Sequence, residues 1–162
     1  MNKRGHVWNA ILLSIGVGVV LEPSLSRETV HSIGEVSVPI LLGALFPDVD
    51  TAIGRHRETF HNLATLGIVA AYPIVFGNLH FVWIGVLSHY LLDLLGTKRG
   101  ITPLYPVFVW EFEFPTGVTV DSKFAGPVTL AVTGFELVIV AAIFPNHVSE
   151  LFVQASALLG IA

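Results

Sequence analysis

The sequence predicts an all-α membrane protein, a transmembrane bundle of about five helices with one short β-hairpin in a loop near 107–120. Three observations lead there. Of 162 residues, 53% are hydrophobic and only 12% charged, against about 25% charged in soluble domains. The mean hydropathy is +0.75, and the apolar residues gather in long blocks rather than being spread evenly. Finally, the polar residues capable of metal ligation recur at matching ends of those blocks, where each needs a partner because His and Asp are costly in or beside a bilayer.

The five apolar blocks lie at about 7–21, 30–46, 60–76, 79–95 and 128–145. Each is slightly short of the ~20 residues of a full span. Lys3 and Arg4 precede the first block, as they would in a signal peptide, but no small-residue cleavage site follows, so it reads as a retained helix. Pro23 and Ser24 mark the first turn, and Pro47 closes the second helix. Thr59 is the expected N-cap of the third helix, which places His61 in its first turn. Gly77-Asn78 breaks the chain tightly, so the third and fourth helices form an antiparallel hairpin. The tail from His147 to Ile161 predicts a last short helix on the opposite side.

Between the fourth and fifth blocks, Phe108, Trp110, Phe112 and Phe114 alternate with Val109, Glu111 and Glu113, a period of two. Pro115-Thr116-Gly117 then offers a turn before Val118-Thr119-Val120. This predicts the hairpin, its aromatic face at headgroup depth; the same residues would also serve as an apolar flap. Of the eight basic residues, Lys3, Arg4, Arg55, Arg57, Lys98, Arg99 and Lys123 fall at one end of the bundle and only Arg27 at the other. The positive-inside bias makes that end cytoplasmic.

Composition also excludes. The chain has no cysteine, which rules out disulfides, thiolate zinc sites and Cys nucleophiles. A net charge of −4 gives no case for nucleic acid. One domain, residues 1–162, accounts for the length. Any transition-metal site must then be built from imidazole and carboxylate.

The candidate ligands are His6, Asp48, Asp50, His56, His61, His89 and Asp93. Asp48 and Asp50 flank Val49 after Pro47, where an extended turn aims both carboxylates at one ion or two adjacent ones; ordinary turn chemistry is the simpler explanation of that pair alone. His56 and His61 bracket the start of the third helix. His89 and Asp93 are i, i+4 on an otherwise uncharged helix, so they share one face, and a buried Asp there needs compensation. His6 returns to the same end by topology. The seven would fill one or two sites, with positions left for water. Two ions would clamp a phosphoester and activate water. Arg57, Lys98 and Arg99 are placed to hold phosphate oxygens, although orientation alone also explains them. His31, His80 and His147 fall elsewhere.

At these residues the chain resembles the YdjM-like, LexA-regulated type of membrane-bound metal-dependent hydrolase family. The shared pattern is Gly5-His6, Pro47-Asp48-Val49-Asp50, His56-Arg57 through His61, Ser88-His89 through Asp93, then Thr97, Gly100 and Tyr105-Pro106. It covers residues 5 to about 115. The chain departs from it at Phe60-His61-Asn62, where the family usually has Ser or Thr before the His and Ser after it. More distantly it is similar to zinc-dependent phospholipase C and P1 nuclease, whose metal residues Asp50, His61, His89 and Asp93 match in order; the second His-x-x-x-Glu of that group has no counterpart. The resemblance implies a hydrolase.

The expectation is a membrane-embedded hydrolase that cleaves a phosphoester, lipid or lipid-linked, at the cytoplasmic face. One or two divalent ions, zinc first and manganese or iron next, activate the water; Asp48 or Asp50 takes its proton, and Arg57 steadies the phosphate. The expected partners are membrane lipids and that substrate. The alternative is a non-catalytic metal-binding or ion-transport membrane protein; a soluble all-α enzyme with an apolar surface is the third reading.

Overall fold

The computed structural model describes residues 3–119 and 121–161. Each apolar block is helical. Helix α1 is Lys3–Leu21 and α2 is Arg27–Leu45; a 3-10 turn, Pro47–Val49, leads into the single turn α3, Asp50–Ile53. Then come α4, Leu63–Phe76, α5, Val82–Gly96, α6, Ala125–Ile143, and α7, Pro145–Leu158. Pro47 ends α2 as expected, since its ring cannot continue the ladder.

Local signals account for the boundaries. The Ser26 hydroxyl accepts from the Glu28 amide at 3.2 Å, and Thr29 Oγ1 accepts from the Ser26 amide at 3.2 Å, a reciprocal cap on α2. Gly77, at φ 67°, closes α4 in the left-handed conformation that glycine adopts without penalty. The start of α4 differs from expectation. Its cap is Asn62, whose Oδ1 accepts from the Thr65 amide at 2.9 Å. Thr59 instead accepts from the Arg55 amide at 2.8 Å and closes the preceding turn. His61 therefore stands in the connecting loop, not in the helix.

Among the described residues, three segments are long and apolar enough to cross a membrane: Lys3–Leu21, Arg27–Ile53 and Ala125–Ile143. The five-span bundle is thus not supported. α4 and α5 have 14 and 15 residues, about 21–23 Å of helix against a hydrocarbon core of roughly 30 Å. They differ in surroundings. α4 buries only Pro73, whereas α5 is enclosed: Ile84 packs on the α1–α2 core, Leu92 on Val132 of α6, and Val86 and Tyr90 against Leu66 and Val69 of α4. Short α5 is thus an internal helix, and polar residues on it are shielded from lipid.

The expected hairpin near 107–120 is also corrected. Among the described residues no strand forms; there are only isolated bridges, Ile101 with Phe112 and Thr97 with Val118. Val120 lies outside the described residues. The physical reason is that both halves pair with the 96–101 segment rather than with each other. Phe112 and Ile101 exchange bonds of 2.8 and 3.0 Å, and the Val118 amide donates to the Gly96 carbonyl at 3.2 Å. Gly117 packs so tightly there that a Cβ would lie 2.0 Å from the Thr97 carbonyl. The aromatic residues Phe108, Trp110 and Phe114 remain exposed.

One contact sets the spacing of the bundle. α2 and α5 cross at Gly43 and Gly85, where a Cβ on Gly43 would stand 2.0 Å from the Val82 carbonyl and one on Gly85 2.0 Å from the Ile40 carbonyl. Small residues permit this backbone-to-backbone approach, a common device in helix pairs within membranes. Gly85→Ala forces the crossing apart, and we expect a loss of about 1–3 kcal/mol in stability, as for overpacked cores. Denaturant unfolding in detergent measures it; an unchanged midpoint would show that the crossing yields freely.

Candidate metal centre

Five stretches of chain bring their polar residues to one end of the bundle. His6 comes from α1, Asp48 from the 3-10 turn, Asp50 from α3, His56, Arg57 and His61 from the loop that follows, and His89 and Asp93 from α5. All seven candidate ligands are gathered. His6, Asp50, His61, His89 and Asp93 are buried. The side chains of Asp48 and His56 are 24% and 36% exposed, so the cluster opens on their side.

Hydrogen bonds decide what each imidazole presents. The Gly43–Gly85 crossing holds the Ala44 carbonyl 2.7 Å from His89 Nδ1. A carbonyl only accepts, so Nδ1 carries the proton and His89 Nε2 the lone pair. His61 Nδ1 lies 2.8 Å from Asp50 Oδ2 and donates to it; its Nε2 is likewise left as a lone pair. The two Nε2 atoms are 3.0 Å apart. Burial lowers the pKa of His61, outweighing the opposing pull of Asp50 and Asp93. Neutral imidazole is thus favoured, which leaves the two Nε2 lone pairs facing each other. Two buried lone pairs facing each other are repulsive unless a cation sits between them.

The remaining donor atoms fit such a cation. Asp93 Oδ2 is 3.6 Å from His61 Nε2 and 3.7 Å from His89 Nε2, and Asp48 Oδ1 is 3.7 Å from His89 Nε2. Ligands at about 2.0–2.1 Å from a tetrahedral ion stand about 3.3–3.4 Å from one another; these separations lie slightly above that value and the 3.0 Å between the two Nε2 atoms slightly below it. His6 stacks on His89 with ring centroids 3.8 Å apart. Its Nε2 reaches Asp93 Oδ1 at 3.3 Å, and neither ring nitrogen makes a hydrogen bond of good geometry. Two separate groups of donors result, His6 with His89 and Asp93, and Asp48 with His56 and His61. The donor chemistry, imidazole and carboxylate in a partly open tetrahedral cluster, fits zinc or a similar divalent ion.

Two residues stand differently from expectation. Asp50 directs both oxygens at N–H donors: His56 Nδ1 at 2.9 Å, His61 Nδ1 at 2.8 Å and the Arg57 amide at 3.2 Å. It lies behind the histidines and orients them, as carboxylates commonly do for metal-bound imidazoles. Arg57, expected at a phosphate, instead faces inward. Its Nη2 lies 3.3 Å from Asp93 Oδ1, and Nη1 donates to Thr97 Oγ1 at 3.0 Å, to the Gly100 carbonyl at 3.2 Å and to the Arg99 carbonyl. The guanidinium pins the 97–100 loop over Asp93. Lys98 and Arg99 are exposed.

Sequence reasoning missed the supporting polar residues. Tyr90 donates to the carbonyls of Phe60 and Asn62, fixing the loop that carries His61. Asn9 donates to Thr133 Oγ1 at 2.9 Å and Glu136 Oε2 at 2.8 Å, and receives the Ser88 hydroxyl. Asn9 follows His6 by three residues in an apolar run, a same-face spacing that could have flagged it.

The chain belongs to the YdjM inner membrane protein family, whose family model matches residues 1–161. That description gives a location and no reaction. No curated protein and no solved structure matches the chain, and nothing found supports a likeness to hydrolases, to phospholipase C or to P1 nuclease.

Asp50→Asn tests the orienting carboxylate. The amide retains one acceptor but turns an NH2 group towards the other imidazole N–H, so one histidine loses its tautomer. Zinc affinity of the purified protein should fall about 10–100-fold. Isothermal titration reads it, and an unaltered affinity would remove Asp50 from the site's construction.

Proposed function

We propose that the protein is a membrane-embedded, divalent-metal-dependent hydrolase of a phosphoester, lipid or lipid-linked, working at the cytoplasmic face. The observation that carries the reading is the pair of buried imidazole lone pairs, 3.0 Å apart and backed by Asp50 and the Ala44 carbonyl. His61, His89 and Asp93 would hold the first ion, with Asp48 facing it; His6 stands on the His89–Asp93 side of it and His56 on the Asp48–His61 side. Zinc suits this donor set best, and manganese or iron would also be accepted.

When bound, such an ion supplies Lewis acidity to a phosphoryl oxygen and lowers the pKa of a water. Asp48 is the residue left to take that proton. Asp50 is fully engaged by N–H donors, whereas Asp48 is half-open to the approach side and next to His89. Arg57 acts as a positioning residue that holds Asp93 and roofs the site with the 97–100 loop. The exposed Phe108, Trp110 and Phe114 would lie among lipid headgroups beside the opening and hold the apolar part of the substrate.

The partial opening favours catalysis over a purely structural site, since structural zinc sites are closed and catalytic ones keep a free position. The cytoplasmic assignment rests on basic residues, seven of eight at the metal end.

His89→Ala and Asp93→Ala should each lose bound metal by elemental analysis of detergent-purified protein, together with hydrolysis of phospholipid or lipid-pyrophosphate substrates. Asp48→Asn should keep metal yet lose about 100-fold or more in rate, as for removal of a general base. Metal retained in both of the first variants would end the proposal. Orientation has its own test, because the chain has no native cysteine. Arg99→Cys should react with a membrane-impermeant maleimide only in inside-out vesicles and Arg27→Cys only in right-side-out ones; the reverse pattern would move the site to the outer face.

A further inference from the structure

α2 packs into the bundle along one side only. Val36, Ile40, Gly43 and Ala44 are buried against α1 and α5. His31, Gly34, Glu35, Val38 and Leu42 form an exposed stripe on the other side, at the spacing of a single helix face. Two features of that stripe do not suit a surface against lipid tails. The first is an ion pair: His31 Nδ1 lies 3.4 Å from Glu35 Oε1, with the side chains 76% and 67% exposed. Glu35 stands eight residues after Arg27 and thirteen before Asp48, about 12 and 20 Å along the helix axis. Arg27–Ile53 is long and apolar enough to span a membrane, so the pair falls at hydrocarbon depth, where ionisable residues are costly and turn towards protein. Among the described residues no further hydrogen bond or ion pair reaches either side chain.

The second feature is Gly34, on the same face, with nothing within 4 Å of where a Cβ would stand. Glycine weakens a helix and gains nothing from open space, but it lets another helix backbone come close. Gly43 shows the use of such a residue on the side of α2 that is already packed. We infer that the exposed stripe of α2 is a homodimer interface, α2 packing on the α2 of a second copy within the membrane. Charge complementarity selects that occupant. Copies of one protein share one orientation in the bilayer, so their two-fold axis follows the membrane normal and equal residues meet at equal depth. His31 of each copy then lies one helical turn from the partner's Glu35. The imidazole nitrogen and carboxylate oxygen left over from the internal pair find complements there, and the patch satisfies itself twice over. Lipid tails offer no such group. Gly34 allows the close approach, and Val38 and Leu42 extend the contact. The metal reading plays no part in this interface.

The test uses full-length protein with Arg99→Cys, an exposed position in a chain without native cysteine, carrying donor or acceptor dye in phosphatidylcholine vesicles. Energy transfer should fall along a two-body isotherm as lipid dilutes the protein, and should rise linearly with acceptor fraction. Gly34→Leu and Glu35→Leu should each weaken association about tenfold, whereas Glu35→Gln, which keeps its hydrogen bonding, should stay within about threefold. Gly34→Leu projects into open space in the single copy, so it leaves the fold intact and reports on the interface alone. Without the dye position, copper phenanthroline should cross-link Val38→Cys and not Val138→Cys of α6, both exposed on membrane-spanning helices. No transfer at any protein-to-lipid ratio, association untouched by Gly34→Leu, or cross-linking through α6 in place of α2 would overturn the inference.

Discussion

Two glycines touching across α2 and α5 govern more of this molecule than any polar contact does, because the distance they allow decides where a carbonyl ends up. With Gly43 and Gly85 in backbone contact, the Ala44 oxygen reaches His89 Nδ1 at 2.7 Å. That bond selects one tautomer, turns the opposite nitrogen inward, and aims it at His61. Any side chain at either glycine would lift α5 away by the width of a methyl group and take the bond with it. Helix packing and ligand chemistry are therefore one constraint here. Local geometry supplies the acceptor, and the acceptor supplies the direction of a lone pair.

Much of this was legible in the chain. The apolar blocks gave the helices, Pro47 and Gly77 gave two ends correctly, and the matching ends of alternate blocks gave the meeting place of all seven candidate ligands. Their roles within the cluster were not legible. Asp50 and Asp48 are equivalent in sequence, two carboxylates around a valine; only the path of the 54–61 loop shows that Asp50 lies behind His56 and His61 while Asp48 stands at the opening. The inward turn of Arg57 depends on the 97–100 carbonyls, which no side-chain pattern announces. The alternating aromatics suggested a strand pair, yet period two says only that a segment is extended. Its partner turned out to be the short stretch after α5, chosen by the close fit of Gly117 on Thr97. Span number failed for a related reason, since hydropathy does not distinguish a helix bathed in lipid from one enclosed by protein.

That distinction explains how α5 tolerates its residues. His89 and Asp93 would be expensive on a lipid-facing helix. On α5 they face α1 and the 47–61 segment, while Val86, Tyr90 and Leu92 pack on apolar neighbours. The length of the helix and its polarity are thus consistent with one another: a helix that need not cross the hydrocarbon can be both short and polar. α4, exposed along most of its surface and almost wholly apolar, is the complementary case.

The charges at the cluster bear on the proposed ion as well. Asp50 and Asp93 are buried and Asp48 is partly so, and among the described residues Arg57 is the single buried arginine or lysine. Burial lowers the pKa of His61, and Asp48, Asp50 and Asp93 bring three carboxylates close around His61 and His89. Carboxylates so close together in a poorly solvated region repel strongly, because effective dielectric there is far below that of water. Asp50 already accepts from three N–H groups, which occupy both of its oxygens. A divalent cation at the facing imidazoles, as proposed above, would offset the carboxylates and relieve the lone-pair repulsion together.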